Sequence, residues 1–352
     1  MINNYGFTPA MTPADAQGMP ARVLAVHKDR YELVCEHGLC SGRLKTSLYY
    51  SDSLENEEFP AVGDFVLINY NSGDSQIIKT LERKSLFSRR DPSADKEQAV
   101  AANFDYVFII QALNQGYKNF NINRLERYLM AARQSGALPI IILNKADLIE
   151  DCAGYIKEAE KAARGVSVYA VSAKTGLGLD LLAEYLKPGK TLVFLGSSGV
   201  GKSSLLNAVA GEDIMDINEV RESDGKGKHT TTHRQLIMLP SGVMIIDTPG
   251  MRALGMLGAD GVSEAFADVE QYLGDCKFSN CEHKSEPGCA VKAAIASGEL
   301  TRERWNSYLQ LRSEARYTDE RIALMRKKKE LHKKWEKEAR SGKKKSGGRR
   351  DY

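Results

Sequence analysis

The stretch IILNKADL, residues 141 to 148, closes an apolar run with the pattern N-K-x-D. A carboxylate at Asp147 can accept paired hydrogen bonds from guanine N1–H and the N2 amino group, a donor pair that adenine lacks. A pocket organised around those bonds rejects the wrong base strongly, because its polar groups are then left unpaired. In that reading Asn144 braces the loop, the stem of Lys145 covers the ring, and Ala146 belongs to the same nucleotide-binding set. The phosphate-binding stretch that ordinarily precedes a base-reading loop, GSSGVGKSS, arrives only at residues 196–204. This inverted order decides the fold.

GSSGVGKSS matches G-x-x-x-x-G-K-[ST], with Gly196, Gly201, Lys202 and Ser203 in the fixed places and Ser197, Ser198, Gly199, Val200 and Ser204 around them. It follows the strand-like TLVFL and opens the helix-like KSSLLNAVA, the context such a loop requires. Backbone NH groups at a helix N-terminus can curl around a β-phosphate, while Lys202 reaches the β and γ oxygens and Ser203 ligates Mg²⁺. In VMIIDTPG, Asp247 ends an apolar run where it can hold Mg²⁺ through water, and the Gly250 NH can meet a γ-phosphate. VSAKTG, residues 171–176, aims the Ala173 NH at guanine O6, flanked by Ser172 and Lys174. All four elements sit at the C-terminal ends of expected strands, where parallel sheets bind ligands. Moving the chain termini to another point in the sheet need not disturb such a rim, so the inversion reads as a circular permutation.

The surrounding pattern agrees. After residue 103, apolar runs such as YVFIIQAL and LPIIILN alternate with amphipathic stretches, among them NRLERYLMAARQSG and GLDLLAEYL. That alternation predicts a parallel sheet covered on both faces. Between residues 21 and 83, five short β-rich runs separated by turn residues predict a small closed barrel, an OB-fold in preference to an SH3-like barrel. Residues 1–20 read as a loose arm, and the polar RRDPSADKEQAVAAN, residues 89–103, as a connector.

The 352 residues are 42% hydrophobic and 27% charged, the composition of a soluble globular protein with two or three domains. No apolar run approaches the roughly 18 residues of a membrane span, and the N-terminus lacks the basic and apolar parts of a signal peptide. A cytoplasmic protein with no membrane partner is expected. The net charge of +3 hides an asymmetry, since residues 321–352 hold 14 Lys and Arg against 4 Asp and Glu. Such a tail favours a polyanion, with RNA phosphate the natural candidate and binding that weakens as salt rises.

Three of the six cysteines crowd into CKFSNCEHKSEPGC. Cys276, Cys281, His283 and Cys289 supply four soft ligands that suit one tetrahedral Zn²⁺ with no open position, hence a structural ion. Cys35, His37 and Cys40 also cluster, but they lack a clear fourth ligand and read as an ordinary barrel turn.

On these motifs the chain resembles the circularly permuted GTPases of the RsgA family over about residues 21–315: barrel, SLFSRRDP, NKAD, SAK, GSSGVGKSS, GKGKHTTTHRQL, DTPG and the Cys/His cluster. The resemblance implies an α/β fold in which a permuted P-loop GTPase domain carries an N-terminal OB-fold barrel and a C-terminal zinc-binding helical domain. The corresponding boundaries are 1–20 (arm), 21–85 (RNA-binding barrel), 86–260 (GTPase), 261–315 (zinc) and 316–352 (basic tail). It further implies a monomer that binds GTP and GDP with Mg²⁺, docks on the 30S ribosomal subunit and its 16S rRNA late in maturation, and couples GTP hydrolysis to release. Ras-like GTPases place a glutamine after the D-x-x-G glycine to orient the attacking water, whereas here the residue is Met251. Hydrolysis by the isolated protein should therefore be slow. In KGKHTTTH, Thr231 (with Thr230 close behind) is the candidate for completing the Mg²⁺ shell, and His229 is a candidate water-orienting group beside the catalytic Lys202.

Overall fold

The computed structural model describes residues 1–27, 30–44, 59–91, 96–113, 120–197, 199–214, 235–247, 266–279, 281–284, 286–302 and 304–313. The expectations for Ser198, His229, Thr230, Thr231, Gly250, Met251 and the basic tail lie outside these residues. The chain divides into two compact units, Met1–Arg89 with Glu97–Gly255, and Arg90–Lys96 with Met256–Tyr352.

In the first unit, five strands close a barrel: β1 (Met19–Val26), β2 (Tyr31–Cys35), β3 (Gly38–Leu44), β4 (Phe65–Asn69) and β5 (Ser75–Thr80). The order is β1-β2-β3-β5-β4, and β4 returns to β1 to complete the ring; only β3 and β5 run parallel. This is the closed five-stranded OB-type barrel expected from the five short runs. Its strands are half apolar, and the inward set, including Val23, Leu33, Cys35, Val66, Ile68 and Ile77, fills the interior. Cys35 belongs to that core, and Glu36 with His37 forms the turn of the β2–β3 hairpin.

Two connecting segments differ from their sequence reading. Where a loose arm was expected, Ile2–Tyr5 and Pro9–Met11 form 3-10 turns. Burial of Ile2 and the Phe7–Phe65 ring contact tie this segment to the barrel. The expected connector at 89–103 instead carries a two-stranded ribbon, β6 (Leu86–Asp91) and β7 (Lys96–Ala102). The charged and polar KEQ that opens β7 hid a strand that ends in the apolar AVAA.

The rest of the unit is a six-stranded sheet in the order β10-β9-β8-β11-β13-β12. Its strands are β8 (Tyr106–Ala112), β9 (Leu138–Asn144), β10 (Val168–Ala170), β11 (Thr191–Leu195), β12 (Gln235–Met238) and β13 (Met244–Asp247). All are parallel except β12, which runs antiparallel to β13 and makes one pairing with barrel strand β1, Gln235 to Ala25. β8 and β9 are buried at nearly every residue, as strands covered on both faces must be. Leu205 and Leu206 of α3 (Lys202–Ala210) pack against Phe108, Ile110 and Ile142. The sheet also carries α1 (Ile122–Gln134), capped by the Asn121 side chain, and α2 (Ala153–Ala162). GLDLLAEYL, expected as a helix, forms only the 3-10 turn Asp180–Leu182, anchored by buried Leu182. Gly176 and Gly178, both at positive φ, keep the chain out of helical backbone up to Leu179.

The second unit contains α4 (Ala267–Glu270), α5 (Ala290–Ser297) and helical residues 304–313. Among the described residues its apolar interior includes an aromatic cluster: Tyr308 stacks on Trp305 with centroids 5.5 Å apart and meets Phe266 in a tilted contact at 5.7 Å. Arg304 lies over the Phe266 ring at 3.9 Å and pairs with Asp268 at 2.8 Å.

Candidate nucleotide site and metal centre

Because β8, β9, β10, β11 and β13 run parallel, the loops that leave their C-terminal ends share one rim. The NKAD loop leaves β9, Ser172 and Ala173 follow β10, the phosphate loop leaves β11, and Asp247 ends β13. Asn144 joins three of these segments. Its Nδ2 donates to the Val200 carbonyl at 2.9 Å, and its Oδ1 accepts from the Ala173 NH at 3.1 Å. Lys145 adopts left-handed backbone (φ 65°), and its Nζ donates to the Gly199 carbonyl at 2.9 Å, so its stem bridges toward the phosphate loop. The Ala146 NH is held by the Val171 carbonyl at 3.0 Å. The Ser172 hydroxyl donates to Asp147 Oδ1 at 2.6 Å and accepts from the Thr175 NH at 3.1 Å, fixing one oxygen of an otherwise exposed carboxylate.

The phosphate loop depends on its glycines for contact reasons. A Cβ at Gly196 would lie 2.6 Å from the Ile110 carbonyl, and one at Gly201 would run into Asn144 Nδ2. Gly201 also takes φ 91° as it starts α3, a conformation that side-chain-bearing residues rarely adopt. Lys202 Nζ donates to the carbonyls of Gly196 and Ser197, at 2.9 Å each. Ser203 and Ser204 stand in the first turn of α3, where the helix N-terminus favours an anion. Among the described residues, then, the rim gathers the base-reading and phosphate-holding elements. Asn144 does so directly, by hydrogen bonding to both.

Sequence reasoning missed two residues, Arg124 and Arg22, and the role of a third, Ser172. Arg124, in the first turn of α1, donates to Ser197 Oγ at 3.1 Å. The Ser172 hydroxyl acts on the carboxylate of Asp147. Arg22, fully buried on β1, donates to the carbonyls of Gly63 and Asn103 and the hydroxyl of Thr191, which opens β11. A lone arginine inside the apolar ARVLAV was the available signal for the last.

In the second unit the ligand atoms of Cys276, Cys281, His283 and Cys289 lie within 4.8 Å of one another. Thiolates about 2.3 Å from a shared zinc ion stand about 3.8 Å apart at the tetrahedral angle, and about 3.5 Å from an imidazole nitrogen. Here Cys276 and Cys289 sulfurs are 4.0 Å apart, and His283 Nδ1 is 3.4 and 3.5 Å from them. The set fits that ion. Burial would raise the Cys276 thiol, but the Ala290 NH at 3.4 Å and neighbouring donors outweigh it and hold it below the ordinary value. Burial and the neighbouring Cys276 and Cys289 push Cys281 up to about 11. Three thiols this close cannot all ionise without a cation among them.

A parallel sheet that enters at β8, carries N-K-x-D after β9 and Ser-Ala after β10, and only then presents a phosphate loop from β11 has the order of a circularly permuted GTPase. The RsgA GTPase family model matches residues 80–257. An ABC transporter model also matches residues 179–350, a span that shares the phosphate loop but excludes NKAD. The chain is 46% identical, over 90% of its length and 90% of the other's, to the small ribosomal subunit biogenesis GTPase RsgA 1 of Listeria innocua. Among solved structures it is similar to YjeQ from Thermotoga maritima (TM-score 0.63, 28% identity, 84% of this chain and 98% of that one). It is similar also to YloQ, described as a circularly permuted GTPase (TM-score 0.59, 27% identity, 87% and 98%). The chain belongs to the RsgA GTPase family and is a GTP hydrolase.

Proposed function

We propose that this GTPase acts in biogenesis of the small ribosomal subunit. It docks on the 30S particle and its 16S rRNA late in maturation, and hydrolysis of GTP, stimulated by the subunit, is coupled to release. In this reading Asp147 reads guanine, with Asn144, Lys145, Ala146, Ser172, Ala173 and Lys174 shaping the base pocket. Residues 196–204 hold the phosphates, and Gly250 contacts the γ-phosphate. Mg²⁺ accompanies GTP on Ser203, Asp247 and Thr231, supplying charge neutralisation at the β and γ oxygens. Lys202 acts on the phosphates and His229 on the attacking water. One Zn²⁺ on Cys276, Cys281, His283 and Cys289 organises the helical unit. The protein works in the cytoplasm as a monomer; among the described residues no helix is long and apolar enough to cross a membrane.

The observation that carries the reading is the Asn144 bridge between base loop and phosphate loop, together with the names of the relatives. Turnover measured with and without purified 30S subunits tests it. Strong stimulation is expected; unchanged turnover despite tight, GTP-dependent binding would instead indicate a checkpoint in which occupancy alone matters.

A further inference from the structure

Two cations meet at one residue of the phosphate loop. The Lys202 ammonium lies 2.9 Å from the Ser197 carbonyl, and the Arg124 guanidinium lies 3.1 Å from the Ser197 hydroxyl. Arg124 also stands in the first turn of a 13-residue helix, where the macrodipole opposes a positive charge, and that turn contains no acidic residue. Among the described residues no carboxylate pairs with Arg124. Residues that stabilise a fold do not gain from this placement; residues that meet a polyphosphate do.

We propose that Arg124 is a catalytic cation supplied in cis, whose guanidinium engages the γ-phosphoryl oxygens of the triphosphate held by Gly196, Gly201, Lys202 and Ser203. During hydrolysis the water oxygen bonds to the γ-phosphorus as the β–γ bridging P–O bond breaks. The electron pair passes to the β-phosphate of GDP, and the water proton ends on the released inorganic phosphate. Charge builds on the γ and bridging oxygens, and Arg124 neutralises it there. The inference rests on the phosphate-loop assignment above, which Lys202→Ala tests separately: normal turnover in that variant would remove the site itself, whatever Arg124 does.

Single-turnover GTP hydrolysis, GDP affinity and binding of GDP with aluminium fluoride are to be measured for Arg124→Ala, Arg124→Gln and Arg124→Lys in the full chain. The expected result is a fall in kcat of about tenfold or more for Ala and Gln. Aluminium fluoride binding weakens in parallel, GDP affinity stays within about threefold, and Lys recovers part of the rate. Gln can keep the hydrogen bond to Ser197 without the charge, so it carries the test if Ala perturbs the fold. The proposal is overturned if kcat is unchanged, if Gln matches wild type, or if kcat and GDP affinity fall together with no recovery by Lys.

Discussion

Asn144 and Val200, 56 residues apart in the chain, are joined by a 2.9 Å hydrogen bond from the amide of the base-reading loop to the backbone of the phosphate loop. The same amide takes the Ala173 NH, so one side chain ties the N-K-x-D loop both to the loop after β10 and to the phosphate loop. Asn144→Ala leaves the Val200 carbonyl and the Ala173 NH without that partner, and an unsatisfied buried group costs about 1–3 kcal/mol. GDP and GTP affinities should fall together, by about tenfold or more. Calorimetric titration of both nucleotides checks it; loss confined to GTP would point to a γ-phosphate role instead.

Arg22 secures the barrel to the nucleotide domain through the Gly63 and Asn103 carbonyls and the Thr191 hydroxyl. Truncation strands these acceptors in the interior, so Arg22→Ala should destabilise the protein by about 3–5 kcal/mol. Denaturant unfolding measures this, and a change below about 1 kcal/mol would contradict the buried network.

Asp105 answers to pH. Burial would raise its carboxyl, but Lys84 at 2.9 Å, the Thr191 NH at 2.9 Å and Lys190 at 3.2 Å outweigh it and hold it below the ordinary range. A depressed folded value means that the stabilisation is complete above the unfolded pKa of about 3.9 and is lost as pH falls through the folded one. The stability of Asp105→Asn should therefore change less steeply than wild type below about pH 4. Parallel slopes in acid-titrated unfolding would remove Asp105 from the account.

Metal should be stoichiometric and structural. Elemental analysis is expected to find one zinc per chain, and chelation, or Cys289→Ser, should reduce helicity through loss of α5 and residues 304–313 while GDP binding persists. Unchanged circular dichroism after complete metal removal would show that the aromatic cluster suffices alone.

The chemistry was more legible than the connections. NKAD, SAK and GSSGVGKSS declare themselves because each needs fixed residue types at fixed spacing: Gly196 and Gly201 tolerate no side chain, and Asn144 must reach two loops. β8 and β9 were readable as unbroken apolar runs. By contrast, β7 was hidden by KEQ at its start, and GLDLLAEYL has helical periodicity although only Asp180–Leu182 forms a turn. Arg124 could not be found from sequence at all, since its meaning lies in a contact with Ser197 across 73 positions.

The central claim is that one nucleotide spans Asp147 and Lys202 despite their inverted order. Asp147→Asn replaces an acceptor with an amide that can donate to the second carbonyl of xanthine, so this variant should lose GTP and hydrolyse XTP. The decisive measurement is XTP turnover by Asp147→Asn with and without Lys202→Ala. The account predicts turnover in the single variant and its loss in the double; XTP hydrolysis that survives removal of Lys202 would mean that the two loops do not serve the same molecule.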